Sequence, residues 1–159
     1  LKFEKRIVGI ERVIFSWKKD DVAVKVVSEI PGVGPLTATA AVATMGDAKA
    51  FKSGREFAGW VGLVPRQMGT GGKSRLYGIS KRGDVYLRML FIHGARSVLQ
   101  QVKRRGGNPW EEKLMERRPH NVAVVALANK AARTLWALLA HGRRYEKGHI
   151  SECPQREYA

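Results

Sequence analysis

Apolar residues recur along this chain mostly at helical spacing. Phe3, Ile7, Ile10, Ile14 and Trp17 stand four, three, four and three residues apart, which predicts an amphipathic helix over residues 3–17 with Lys5, Arg6, Glu11 and Arg12 off the stripe. Asp20 or Asp21 is placed to cap a second helix through Glu29, with Val22, Val26, Val27 and Ile30 facing inward. The five valines between 22 and 33 leave a strand as the alternative there. Pro35 opens an alanine-rich helix running to about Met45, since the first helical turn has no use for the missing N–H. Ser53-Gly54-Arg55-Glu56 reads as a capping box before a helix whose inner face takes Phe57, Trp60 and Val61, and Gly62 and Pro65 stop it.

The clearest helix spans residues 83–105. Tyr86, Leu87, Leu90, Phe91, Gly94, Val98, Leu99 and Val102 share one side of it, and Gly94 calls for the close approach of a neighbour. Gly106-Gly107-Asn108-Pro109 breaks the chain before a short charged helix from Trp110 to Arg117. A last long helix over 121–141 has Val124, Val125, Ala128, Ala132, Leu135, Trp136 and Leu139 as its apolar face and ends at Gly142. There is no internal repeat and no alternating pattern longer than a few residues. The expected fold is therefore all-α: a single compact multi-helix domain over 29–145, preceded by the end of a longer connecting helix (1–28) and followed by a flexible tail (146–159). The opening at Leu1, already within helical pattern, suggests a piece of a longer chain.

Within residues 22–46, the order helix, Ile30-Pro31-Gly32-Val33-Gly34, helix resembles a helix-hairpin-helix motif. Such a turn aims backbone N–H groups at a phosphate, which makes Gly32 and Gly34 candidate contacts; the alternative is a tight turn that only joins packed helices.

Composition sharpens this picture. The 159 residues carry 29 Lys and Arg against 14 Asp and Glu, a formal net charge of +15. Such an excess opposes compaction unless a polyanion offsets it, so nucleic acid is the default partner and an anionic membrane surface the second choice. No apolar run approaches the roughly 20 residues of a membrane span, and the first residues do not resemble a signal peptide. The lone Cys153 excludes a disulfide framework and a cysteine zinc site, and fits a reducing cytoplasm.

The charge concentrates in residues 64–84, VPRQMGTGGKSRLYGISKRGD, expected to be a loop between helices. Arg66, Lys73, Arg75, Lys81 and Arg82 fall there with no carboxylate before Asp84, interleaved with Gly69, Gly71, Gly72, Gly78 and Gly83 and with the hydroxyls of Thr70, Ser74, Tyr77 and Ser80. Glycines let backbone N–H groups approach an anion and the cations hold it, so Arg66, Gly71, Gly72, Lys73, Arg75, Ser80, Lys81, Arg82 and, at the loop's exit, Arg88 are the candidate nucleic-acid contacts. A solvated surface loop is the alternative. His93 lies beside the apolar face of its helix and is read as a packed histidine. His120, His141 and His149 lack metal-ligand spacing. Trp17, Trp60, Trp110 and Trp136 are read as core, Trp110 with the weakest claim.

Four stretches, IPGVGPLTATAAVATMGD, FKSGREFAGWVGLVPRQ, GTGGKSRLYGISKRGDVYLRMLFIHGARSVL and NKAARTLWALL, in this order over about residues 25–145, resemble the C-terminal domain of the DEDD-type insertion-sequence transposases, relatives of the Piv site-specific DNA invertases. The resemblance implies a longer enzyme with an N-terminal RuvC-like domain holding Mg2+, joined through a coiled-coil-like segment. It implies recombination guided by a structured RNA from the element's own ends, multimers that bring two DNAs together, and a serine of this domain that attacks DNA. The place of that serine, about ten residues before Ile79-Ser80-Lys81, falls here on Thr70, a threonine, with Ser74 and Ser80 in reserve. No cofactor is implied for this segment itself, which is expected to bind DNA without cutting it.

Overall fold

A computed structural model of the chain describes residues 2–70 and 73–148, with Lys2, Lys18, Thr70, Lys73 and Ser74 described by their backbone alone. The elements are α1 (Lys2–Asp20), α2 (Val22–Val27), α3 (Pro35–Met45), a 3-10 turn (Ala48–Ala50), α4 (Gly54–Val61), β1 (Pro65–Thr70), β2 (Lys73–Ile79), α5 (Val85–Arg105), α6 (Pro109–Arg117) and α7 (His120–His141). The fold is mostly α-helical, as its periodicity implies, with one small antiparallel sheet.

Helix α7 is the centre. Ala123, Ala128, Ala131 and Ala132 present so little bulk that α4 and α5 close on it, while Val124, Leu127, Leu135 and Leu138 fill the gaps between them. Its buried face is rotated from the one expected, for Val125, Trp136 and Leu139 are only half-buried. By length and composition α7 could also cross a membrane, contrary to the expectation that no run came close. Its alanine face is packed against the other helices, as in the core helix of a globular protein.

Local chemistry explains most helix ends. Asp21 Oδ1 caps α2 by accepting from the N–H groups of Ala23 and Val24, which settles the valine-rich segment as a helix. Asn108 and Glu111 form a reciprocal capping box on α6. At α4 the box is shifted: Ser53 accepts from Glu56 N, but Glu56 Oε2 accepts from Lys52 N, one residue further out than the pattern implies. Between α2 and α3 the predicted turn is present, and it is used for packing. Gly32, at φ +82°, sits on the backbone of Gly94 in α5, and a Cβ on Gly94 would overlap the Gly32 carbonyl. Gly94 is thus the close-approach site its position suggested, with a turn as the neighbour rather than a helix.

Helix α1 lies across α2 and α3. Of its apolar stripe only Ile14 is half-buried; Phe3, Ile7, Ile10 and Trp17 remain exposed. An open groove of about 620 Å3 runs between it and α3, lined by Ile10, Val13, Ile14, Leu36 and Ala40, with Tyr86 beside them.

The largest departure from expectation is residues 64–84. In place of an irregular loop stands a β-hairpin, pairing Gln67 with Leu76, Met68 with Arg75, Gly69 with Ser74 and Thr70 with Lys73, with a bulge between Pro65 and Gln67. The reading by alternation failed because glycines interrupt every apolar run. The overlooked signal was the Gly71-Gly72 pair, a preferred two-residue hairpin connection.

Candidate nucleic-acid arm

The hairpin begins where α4 ends. Gly62 closes α4 in the left-handed region at φ +84°, and the carbonyls that follow the helix would be orphaned without partners. Each finds one. Val61 O accepts from Arg88 Nη1 at 3.0 Å, Gly62 O from Lys81 N at 3.2 Å, Leu63 O from Asn129 Nδ2 at 3.1 Å, and Val64 O from Ser80 N at 2.9 Å. Arg88 Nη1 also donates to Arg82 O at 3.1 Å, so one guanidinium ties the chain entering the hairpin to the chain leaving it. Gly83, at φ +85°, presses on the Trp60 carbonyl where any Cβ would collide, and Asp84 Oδ1 then starts α5 by accepting from Leu87 N at 2.7 Å.

Beyond this clamp nothing among the described residues holds the hairpin. Pro65 to Gly69 and Arg75 to Gly78 are all exposed, and neither strand forms a packed interface with a helix among the described residues. The hairpin is an arm, rooted between α4 and α5 and standing free along its length.

The structure sorts the candidate residues accordingly. Arg66 and Arg75 lie exposed on the arm, and Lys81 and Arg82 lie exposed at its root. Arg88 does not join them: it is 8% exposed and faces backbone carbonyls, so its role is to organise the root. Gly71 and Gly72 lie outside the described residues, as do the side chains of Thr70, Lys73 and Ser74. The backbone register nonetheless puts Thr70 at the last position of β1, opposite Lys73. Ser80 is half-buried at the root, its Oγ accepting from Arg82 N at 3.5 Å. Gly34, the N-cap of α3, is exposed, whereas Gly32 is packed on Gly94. Among the described residues no group of three or more His, Cys, Asp or Glu converges, so the divalent ion implied by the resemblance has no donor set here.

Other expectations need correction. Trp17 and Trp60, read as core, are 56% and 39% exposed, though the Trp60 ring lies against Phe51 and Phe57. His93 is exposed rather than packed. Trp110 is not core: it is 37% exposed, and Lys130 Nζ lies 3.9 Å from its ring centroid. Burial holds the Lys130 ammonium pKa below its ordinary value, with Glu111 acting the other way, while burial and then Glu111 push Tyr145 up. Glu111 itself is buried, its Oε2 accepting from Asn108 N. Sequence spacing did not announce this cluster, because its members come from α6, α7 and the segment after α7.

A family model described as "Transposase IS116/IS110/IS902 family" matches residues 24–111, which include the whole arm and its root. A "Probable family 20 transposase" of Pseudomonas aeruginosa is 49% identical over 147 residues, covering 91% of this chain and 44% of that protein. The "Transposase for insertion sequence element IS1111A" of Coxiella burnetii is 49% identical over 124 residues, covering 77% of this chain and 34% of that protein. That for IS1328 of Yersinia enterocolitica is 40% identical over 144 residues, covering 89% and 43% respectively. The chain spans less than half the length of these relatives. With more than half its residues matched by the family model, the chain belongs to the IS116/IS110/IS902 transposase family.

Proposed function

We propose that this chain is the DNA-binding, nucleophile-bearing half of an insertion-sequence transposase. It cleaves and exchanges DNA strands together with a RuvC-like, Mg2+-holding domain of the longer protein, in the bacterial cytoplasm at the nucleoid. The observation that carries this reading is the free-standing cationic arm, clamped at its root and without a carboxylate from Phe57 to Gly83. Relatives named as insertion-sequence transposases support it.

The arm's cations, Arg66, Lys73, Arg75, Lys81 and Arg82, offset the charge that builds on a phosphate under attack. The Thr70 hydroxyl is the nucleophile. Its oxygen forms the new bond to phosphorus, the bond to the departing sugar oxygen breaks, and the phosphodiester count is conserved for rejoining. The hydroxyl proton passes to a base outside this chain, since residues 57–83 hold no carboxylate and Asp84, the next one, caps α5. Ser74 and Ser80 are the reserves, and Ser80 is weakened as a candidate because its oxygen serves the root. Gly34 offers a further phosphate contact at α3. A non-catalytic helix-hairpin-helix module fits less well, because Gly32 packs against Gly94. A guide RNA from the element and multimers joining two DNAs complete the reading.

The test is recombination by the full-length protein with Thr70, Ser74 and Ser80 each changed to Ala. Only Thr70→Ala should abolish both recombination and a covalent protein–DNA adduct; normal recombination by Thr70→Ala would remove the assignment. The isolated chain should bind DNA without cutting it. Replacing Lys81 and Arg82, both exposed, by Ala should make the slope of log K against log salt shallower by about 2.

A further inference from the structure

Charge alone does not account for what the arm displays. Met68 and Arg75 are direct cross-strand partners and project from one face, with Arg66 two residues before Met68 on the same strand; Gln67 and Leu76 oppose each other on the other face. Met68 is 66%, Leu76 72% and Tyr77 47% exposed. A surface that only held phosphates would have no use for apolar groups kept in water. Base edges in a groove do, since they offer thymine methyls to apolar side chains and acceptor pairs to arginine.

We propose that the arm is a two-stranded ribbon that enters the major groove of B-form duplex DNA, with the Arg66, Met68 and Arg75 face against base edges and Lys81 and Arg82 at the root on flanking phosphates. This rests on the reading of the arm as a nucleic-acid contact and goes beyond it in naming duplex form and groove. The dimensions agree. Paired strands lie about 4.8 Å apart, and the B-form major groove, about 12 Å wide, admits a two-stranded ribbon with its side chains. The six residues of β1 extend roughly 20 Å, enough to cross a groove about 12 Å wide from a root on one phosphate strand to Thr70, the last position of β1, at the other. The charge is complementary too, since the arm carries cations and no carboxylate. A-form RNA duplexes present a deep, narrow major groove that this ribbon does not fit.

The experiment titrates the 159-residue chain, by fluorescence anisotropy at matched salt, against four probes. These are a mixed-sequence DNA duplex, the RNA duplex of that sequence, one of its DNA strands alone, and the DNA duplex with every cytosine replaced by glucosylated 5-hydroxymethylcytosine. The last fills the major groove and leaves the phosphates unchanged. The expected result is tightest binding to unmodified duplex DNA, about tenfold or more weaker binding to the RNA duplex and the glucosylated duplex, and no competition from the minor-groove ligand netropsin. Met68→Ala with Arg75→Gln should remove most of the sensitivity to glucosylation while the chain keeps its wild-type melting temperature, because neither residue packs on the body.

Equal affinity for plain and glucosylated duplexes, displacement by netropsin, or preference for the single strand or the RNA duplex each overturns the groove proposal while leaving the arm a phosphate contact. Failure to bind all four probes at low salt overturns the underlying reading instead. Self-association that is lost on Met68→Ala, with no groove sensitivity, also overturns the proposal, since the apolar side chains would then serve a second copy.

Discussion

Arg88→Met removes the guanidinium that joins the two ends of the arm and keeps most of its apolar stem. Two carbonyls lose a donor, Val61 O and Arg82 O, and the first bond is buried. A buried carbonyl left unsatisfied costs about 1–3 kcal/mol. Against this stands the desolvation of a charge that no carboxylate pairs with among the described residues, relief of which favours the variant. The carbonyls should win. No other donor reaches Val61 O in the described hydrogen-bond network, and the adjacent Gly62 is packed so closely on the Arg82 backbone that a Cβ there would overlap the Arg82 carbonyl. The net expectation is a loss of about 2–3 kcal/mol, which for a chain of this size lowers the melting temperature by roughly 4–12 °C. Arg88→Lys keeps the charge and one donor direction and should lose about half as much. Thermal and urea unfolding followed by circular dichroism measure the cost. Hydrogen exchange at the amides of Ser80 and Lys81, which donate to Val64 O and Gly62 O, reports whether the root has opened. A variant as stable as wild type, or one whose Ser80 and Lys81 amides exchange no faster, would refute the clamp.

Gly94→Ala should destabilise by about 1–3 kcal/mol, because its new Cβ meets the Gly32 carbonyl rather than a flexible side chain; urea midpoints decide it, and an unchanged midpoint would show that the turn yields freely. Asn129→Ala should cost about 1–2 kcal/mol by orphaning Leu63 O, and should also speed exchange at the neighbouring Ser80 amide, a local effect absent from a remote core variant. The folded-state pKa of Tyr145 lies above its ordinary 10.0, so between the two values the folded chain holds a proton that the unfolded chain releases, and stability falls as pH rises through that window. Lys130 has the opposite sign: its folded pKa lies below 10.5, so stability rises with pH between its folded value and 10.5. Tyr145→Phe should therefore make the change of melting temperature with pH less negative above pH 10, and Lys130→Met should make it less positive below pH 10.5; variants with unchanged slopes would show that neither group is coupled to folding.

Much of the body was legible because amphipathic periodicity and caps are local. The segment from Pro35 to Met45 matches its helix from end to end, and Asp21 and Ser53 cap helices near where their sequences say. Rotation of the α7 face was missed because alanines look neutral in a pattern count, while in packing they are the positions where helices touch. The arm was marked out by its charge and missed as structure. Its cations and glycines advertise an anion site, but a strand standing free in solvent has no buried face and so leaves no alternation to detect. Arg88 was misassigned for a related reason, as an arginine four residues into a helix reads as a surface cation unless the carbonyls that capture it are known. Those carbonyls, on Val61 and Arg82, lie 27 and 6 residues away in sequence.

The root and the arm obey opposite rules, and each makes the other workable. Arg66 and Arg75 on the hairpin and Lys81 and Arg82 at its root are exposed cations that repel one another and gain nothing from the core, so they add no stability to the arm. An isolated two-stranded hairpin is at best marginally stable in water. What fixes this one is the run of satisfied carbonyls from Val61 to Val64, supplied from α5, from α7 and from the returning strand. The buried charge of Arg88 is therefore placed where a neutral donor of the same reach does not exist, beneath the exposed cations Lys81 and Arg82. Loosening the root should cost affinity through disorder of the arm, with the salt slope unchanged because the same phosphates are still met. Removing arm cations should flatten that slope and leave folding untouched. The two classes of variant separate positioning from contact within a single salt titration.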